Sequence, residues 1–424
     1  MKKVLIIAYH FPPSPVMGSQ RPYRLAKYFP SFGWQPTVLT AKLPGNPPEG
    51  ITIVETEYKD VLGLFKSRFG FNNQKGLHEQ LGIAEPSSFA SPTWKSKFIK
   101  NARKIIAFPE RQIGWYKYAL EAGSELLERE NYDIIISTSP PVTAHIIAHK
   151  LKQKYGLPWI ADLRDLWTQN HYYSFPALIK FIEQQLEIRT LAAADALVTV
   201  TPPWVEELKV LHKTKQVLCL TNGYDPEELV EPSHKLTPEF TITYTGILYA
   251  GKRDPSLVLE AIADLIREDK ISKDNLELRF FGPPEAWLSD LINRHHLNGI
   301  VKLYGIIPRE EALERQRESQ LLLIVQWNHQ EEKKHFPAKV FEYLAARRPI
   351  VAVGGPNGIV KELLAETQSG SFASNFTELK NIIADYYQEF LREGKVKYHA
   401  NRNISKYSYL SITKKYTEIL NNLL

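Results

Sequence analysis

The sequence predicts an α/β protein of two doubly wound Rossmann-like domains facing each other across a cleft. Three observations predict it. Short apolar runs alternate with amphipathic helical stretches along most of the 424 residues. The apolar runs are near-continuous rather than alternating in polarity, as parallel strands covered on both faces require. The alternation halts at a connector rich in proline and acidic residues, 225–239, and then restarts, which splits the series in two.

In chain order, apolar runs place strands at Val4–Tyr9, Pro36–Thr40, Ile51–Glu55, Asp133–Thr138, Trp159–Asp162, Ala196–Thr199 and Val217–Leu220. Between them the apolar spacing switches from continuous to helical, at Arg21–Phe29, Tyr116–Arg129, Val142–Lys154 and Ala177–Ala193. Beyond the connector, strands are expected at Thr241–Thr245, Glu277–Phe281, Val301–Tyr304, Leu321–Val325 and Ile350–Val353. Helices are expected at Ser256–Arg267, Trp287–His295, Glu310–Glu318, Ala338–Ala346 and Ile359–Leu364, with a last amphipathic helix over Ser411–Leu424. The expected domains are 1–225 and 226–400, with 401–424 as a C-terminal helix crossing back to the first domain. Ligands of such sheets bind at the carboxyl ends of the strands, so the loops there carry the search for function.

Composition excludes several classes. The only cysteine, Cys219, lies in the apolar run Val217–Leu220, so no disulfide forms within the chain. The apolar start is too short for a secretory signal, and no run reaches the ~20 apolar residues of a membrane span. A cytoplasmic protein is expected, with peripheral attachment at the inner face of the membrane as a further option. The net charge of +6 is local: residues 59–104 hold nine basic and three acidic side chains, the whole excess. A basic insertion at 59–110 follows, and not a nucleic-acid face. Within it Trp94, Phe98, Ala102, Ile105 and Ile106 share a helical face, beside Lys95, Lys97, Lys100, Arg103 and Lys104. Such a helix over 94–106 either packs its stripe on the first domain or lies in an anionic membrane surface.

Phe336–Val353 is the most telling stretch. Lys339 and Glu342 stand three apart at the start of a helix that feeds a strand, so they share a face. A helix start offers unpaired N–H groups and a positive dipole end. A cation there suits a diphosphate, and a carboxylate one turn in suits ribose hydroxyls; the alternative is a solvated amphipathic helix. Lys252 and Arg253 follow Gly246 in a glycine-containing loop, where paired cations suit a pyrophosphate or form a solvated basic turn. Gly18 and Ser19 end the proline-rich loop after the first strand and allow close backbone approach. Asp162, Arg164 and Asp165 crowd the mouth of a central strand, as a structural ion pair or as a site for sugar hydroxyls. No G-x-G-x-x-G or P-loop pattern is present. His145 and His149 lack a glutamate between them and a third ligand, and read as helix-face histidines. No metal site is expected.

The ordered set of the Pro13–Ser19 loop, Ser137–Pro141, Asp162–Trp167, Thr221–Asp225, Thr245–Asp254, Pro337–Glu342 and Arg348-Pro349 resembles the family-4 retaining glycosyltransferases of GT-B fold. The likeness spans nearly the whole chain and is strongest to bacterial enzymes of surface-polysaccharide assembly. It implies transfer of a sugar, with retention and without a required metal or cofactor, from a nucleotide-diphospho-sugar, UDP- or GDP-linked, to an acceptor hydroxyl. Residues 1–225 become the acceptor side and 226–400 the nucleotide-sugar side. The implied acceptor is a sugar or lipid-linked oligosaccharide. By position, Gly18 and Ser19 would face phosphates and acceptor, and Lys252 and Arg253 would steady the leaving diphosphate. Glu342 would take the ribose, and the backbone of Ile306 and Ile307 would flank the base, with Gly246 and Lys339 on the donor side. Arg164 or Asp165 stands where many relatives carry a histidine. Lys334 stands where the family has the first glutamate of its E-x7-E pair, and Glu331 or Glu332 would have to substitute. The rival readings are a nucleotide-sugar 2-epimerase of the same fold and an inactive nucleotide-sugar-binding homologue.

Overall fold

The computed structural model describes residues 1–60, 108–171, 176–229, 235–399 and 402–424. The segment 94–106 therefore lies outside the described residues. The chain divides into two compact units, Met1–Thr221 with Thr413–Leu424, and Asn222–Ile412.

Among its described residues unit 1 is built on seven parallel strands: β1 (Lys2–Ile7), β2 (Trp34–Ala41), β3 (Thr52–Thr56), β4 (Ile134–Ser139), β5 (Trp159–Leu163), β6 (Ala196–Thr199) and β7 (Gln216–Cys219). Their order is β3-β2-β1-β4-β5-β6-β7. The helices are α1 (Gln20–Tyr28), α2 (Tyr116–Arg129), α3 (Thr143–Tyr155), α4 (Ala177–Leu191) and α5 (Pro202–Leu211). The continuous apolar runs are there because the central strands are covered on both faces: every residue of β4 and β5 is buried.

Unit 2 has six parallel strands: β8 (Phe240–Thr245), β9 (Leu276–Phe281), β10 (Val301–Gly305), β11 (Leu321–Val325), β12 (Ile350–Val353) and β13 (Gly370–Ala373). The order β10-β9-β8-β11-β12-β13 is that of a nucleotide-binding Rossmann sheet. Its helices are α6 (Ser256–Arg267), α7 (Ala286–Arg294), α8 (Arg309–Arg317), α9 (Lys339–Ala346), α10 (Ile359–Thr367) and α11 (Phe376–Glu393). The last helix, α12 (Tyr409–Asn422), begins in this unit and ends in unit 1.

Three elements escaped the sequence reading. They are α5, which opens on two prolines; β13, four residues with a glycine; and the eighteen-residue α11. Elsewhere among the described residues the expected elements stand, with ends displaced by a few residues, as terminal turns and edge pairings are decided by capping rather than by pattern. Among the described residues no helix is long and apolar enough to cross a membrane.

Candidate functional site

In unit 2 the strand order reverses between β8 and β11, so the loops leaving those two neighbours bound a crevice. Helix α9 starts from the β11 loop with Lys339 as its first residue and no side-chain cap. Lys339 is 9% exposed, and its Nζ has no hydrogen-bond partner among the described residues. That nitrogen sits 3.5 Å from the centre of the Tyr244 ring. Burial holds the ammonium well below the usual lysine range; Arg253 adds to this and Glu342 opposes it. A cation–π contact contributes about 0.5–2 kcal/mol, whereas an unpaired buried ion costs several kcal/mol, so burial wins. Two glycines make the room. Gly246 directly follows β8 at φ +119, and a Cβ there would lie 3.0 Å from Lys339 Nζ. A Cβ on Gly282 would lie 2.2 Å from the Gly246 carbonyl oxygen. An unpartnered amine, a helix start and a glycine-lined wall form a cradle for an anion.

Glu342, one turn on, is held rather than solvated. It accepts from Arg309 Nη2 at 3.2 Å and from Gln316 Nε2 at 3.5 Å. Arg309 also bonds both carboxylate oxygens of Glu228, at 3.0 and 3.2 Å. Burial raises the Glu342 pKa, the Arg309 charge lowers it, and Glu228 raises it again. Arg309 opens α8 directly after Ile306, Ile307 and Pro308, so it ties the exposed loop of Ile306 to Glu342. The sequence reading missed Arg309; nothing in Pro308-Arg309-Glu310-Glu311 distinguishes it from an ordinary helix start.

The cations after Gly246 separate. Lys252 is exposed, with its Nζ 4.7 Å from the Trp327 ring centre. Arg253 is partly buried, lies over Tyr249 and bonds Tyr244. Glu332, only 2% exposed, acts electrostatically on Arg253. Lys334, at the position of the family glutamate, pairs with Glu331 at 2.9 Å. Of the two glutamates considered as substitutes, Glu332 is therefore the one beside the cation loop.

In unit 1 the cluster at the mouth of β5 resolves into distinct roles. Asp162 is fully buried and pairs bidentately with Arg21 of α1, at 2.9 Å to each oxygen. It also accepts from Thr138 at 3.0 Å, so this residue is the structural ion pair. Arg164 donates to the carbonyls of Ser139, Pro140 and Gly18, clasping the loops that leave β1 and β4. A side chain on Gly18 would collide with that guanidinium. Ser19 is buried and donates its hydroxyl to the Ser14 carbonyl at 3.0 Å. Asp165 is partly buried, and burial pushes its carboxyl up to about 6 against the pull of Arg164. His10, 3.4 Å from Ser14 Oγ, is pushed down to about 4 by burial and the Arg164 charge. His145 is buried, bonded to Ser137 at 2.7 Å and packed near Trp159 and Trp167. Among the described residues no group of three or more His, Cys, Asp or Glu is placed to hold a metal ion.

Residues 99–218 match the family model described as a glycosyl transferase 4-like domain, and residues 225–409 match that of glycosyl transferases group 1. No curated protein matches the sequence. Solved structures of similar fold include sucrose-phosphate synthase from Thermosynechococcus elongatus, 13% identical, covering 100% of this chain and 99% of that one, TM-score 0.62. Anabaena HepE in complex with UDP and glucose is 13% identical over 100% of both chains, TM-score 0.61. A mutant of S. aureus TarM, in complex with Fondaparinux, alpha-GlcNAc-glycerol and UDP, is 11% identical, covering 99% of this chain and 100% of that one, TM-score 0.65. At such identities the likeness is one of fold.

Proposed function

The chain belongs, through its two matched domains, to the glycosyltransferases of GT-B fold, and we propose that it moves a sugar from a nucleotide-diphospho-sugar to an acceptor hydroxyl with retention. The observation that carries the donor half is Lys339, a buried amine with no hydrogen-bond partner among the described residues, set against Gly246 at the switch point of unit 2. Lys339 and the α9 start take phosphate oxygens, and Lys252 and Arg253 steady the leaving diphosphate. Glu342 receives the ribose hydroxyls, and the Ile306–Ile307 backbone flanks the base. Unit 1 is the acceptor side, with Asp165 at the mouth of β5 as the carboxyl that meets an acceptor hydroxyl. Arg164 positions Gly18 and Ser19 instead of touching substrate. HepE and TarM were both solved in complex with UDP, which favours a uridine or related diphosphate. The products assembled are bacterial surface glycans, on a sugar or lipid-linked acceptor at the cytoplasmic side of the membrane.

The chemical demand is a leaving diphosphate that gains charge as positive charge grows at the anomeric carbon. Preorganised cations and helix N–H groups meet that demand without reorganising during the reaction. A panel of nucleoside diphosphates and nucleotide-sugars tests the reading. A bound donor at ~100 times its dissociation constant stabilises by ~2.7 kcal/mol, and nucleotide release should require an acceptor. Acceptor-independent conversion of the donor would favour the 2-epimerase. Binding without release would favour an inactive homologue. No stabilisation by any nucleotide would end the proposal.

A further inference from the structure

The lysine at the centre of the donor cradle is in an unusual state for a phosphate ligand. Lys339 Nζ has no hydrogen-bond partner among the described residues. The groups that face it are few. From β8 and its loop come the Tyr244 ring and Arg253, and from its own helix comes Glu342. Glu342 is already committed to Arg309 and Gln316, and Glu332 acts on Arg253. No carboxylate is therefore bonded to the amine, while a second cation stands near it. An ammonium ion in that position would be buried, unpaired and repelled.

We propose that Lys339 stands in the nucleotide-free protein as a free amine and gains its proton when the phosphates of the nucleotide arrive, so that each diphosphate bound brings one proton into the site. The proposal rests on reading this crevice as the donor site. The nitrogen lone pair accepts the proton from solvent, and the phosphate oxygens supply the counter-charge that makes the ammonium stable there. The coupling has a direction. Burial and the neighbouring Arg253 charge lower the Lys339 pKa in the free protein, and phosphate oxygens beside the amine would raise it again. Between the two pKa values each rise of one pH unit should weaken nucleotide binding up to tenfold, about 1.4 kcal/mol. At lower pH, where Lys339 is charged in both states, the dependence should vanish. Such a site would discriminate by charge, because a ligand without phosphate cannot hold the proton in place.

The test is titration calorimetry of the full chain with UDP and with GDP at pH 8.5, in buffers of different ionisation enthalpy, where the slope against that enthalpy counts protons. For the wild type an uptake approaching one proton is expected. Lys339→Arg, charged at every pH used, should bind with no uptake and no alkaline loss of affinity. Lys339→Met should bind ten-fold or more weakly and likewise without uptake. Glu342→Gln should keep the uptake, which excludes that carboxyl as its source. Wild-type binding with no proton taken up, or equal uptake in the Arg variant, overturns the coupling while leaving the donor site standing. Failure of both diphosphates to bind at any pH overturns the site reading and the coupling together.

Discussion

Glu342 shows how much one residue depends on its neighbour. Burial alone would favour the protonated acid, and Arg309 offsets this with an ion pair at 3.2 Å. Arg309→Ala should therefore cost nucleotide affinity by about 1.5–3 kcal/mol, the scale of a charged hydrogen bond, for every nucleotide tried. Arg309→Lys should recover only part, since lysine cannot span Glu228 and Glu342 as the planar fork does. A loss confined to one donor sugar would place Glu342 at the sugar instead. In unit 1, Asp165 gives a pH prediction. Its folded carboxyl titrates near 6, above the ~3.9 of an unfolded aspartate. The folded chain holds that proton more tightly, so stability falls as pH rises from about 4 to about 6 and stays lower above. Asp165→Asn should raise the urea midpoint at pH 8, by roughly 1–3 kcal/mol in stability, and leave it nearly unchanged at pH 3.5. An equal gain at both values would mean that the carboxyl is not destabilised by burial.

Among the elements, the start of α9 packs beside Gly246, the residue that follows β8. Gly246→Ala would force a Cβ to 3.0 Å from Lys339 Nζ at a φ of +119, a region that side chains rarely adopt. It should weaken binding of the diphosphate more than binding of the unphosphorylated nucleoside, because the displaced group is the amine. Similar losses for UDP and uridine, measured by calorimetry, would contradict the arrangement. Helix α11 illustrates a different local rule. Asn375 accepts from the Glu378 N–H at 2.9 Å, and Glu378 accepts from the Ser374 N–H at 2.8 Å. This reciprocal cap was legible in Ser374-Asn375-Phe376-Thr377-Glu378 and could have found the helix. Asn375→Ala should lower stability by about 1 kcal/mol, seen in urea denaturation.

At the scale of the whole molecule, the two units draw on separate interactions. In unit 1 the Arg21–Asp162 pair fastens α1 to the sheet, and Arg21 also donates to the Thr221 carbonyl at 2.7 Å. Asp162→Asn leaves a buried guanidinium short of its counter-charge and should cost about 3–5 kcal/mol. The unit 2 cradle contains no part of that network, so UDP affinity of the folded variant should stay within about two-fold of wild type, well under the tenfold of 1.4 kcal/mol. A large loss of affinity in a variant shown to be folded would contradict that expectation.

Two α/β units, most of their strands and the position of Lys339 and Glu342 on the first turn of one helix are legible in the amino-acid order alone. Those features follow from periodicity and local chain geometry, which nearby residues fix. The amino-acid order also carried the ordered motifs on which the glycosyltransferase likeness rests. Tertiary structure decided the rest. That Asp162 is an ion pair, that Arg164 clasps three carbonyls, and that Lys339 lies buried with no hydrogen-bond partner among the described residues all depend on groups from other elements. Arg21 lies 141 residues from Asp162, and Gly18 lies 146 from Arg164. A charge on a helix face looks the same in sequence whether water or a buried wall surrounds it. The burial that lowers the Lys339 pKa is a property of the folded sheet, because only folding brings Tyr244, Gly246 and Arg253 around it.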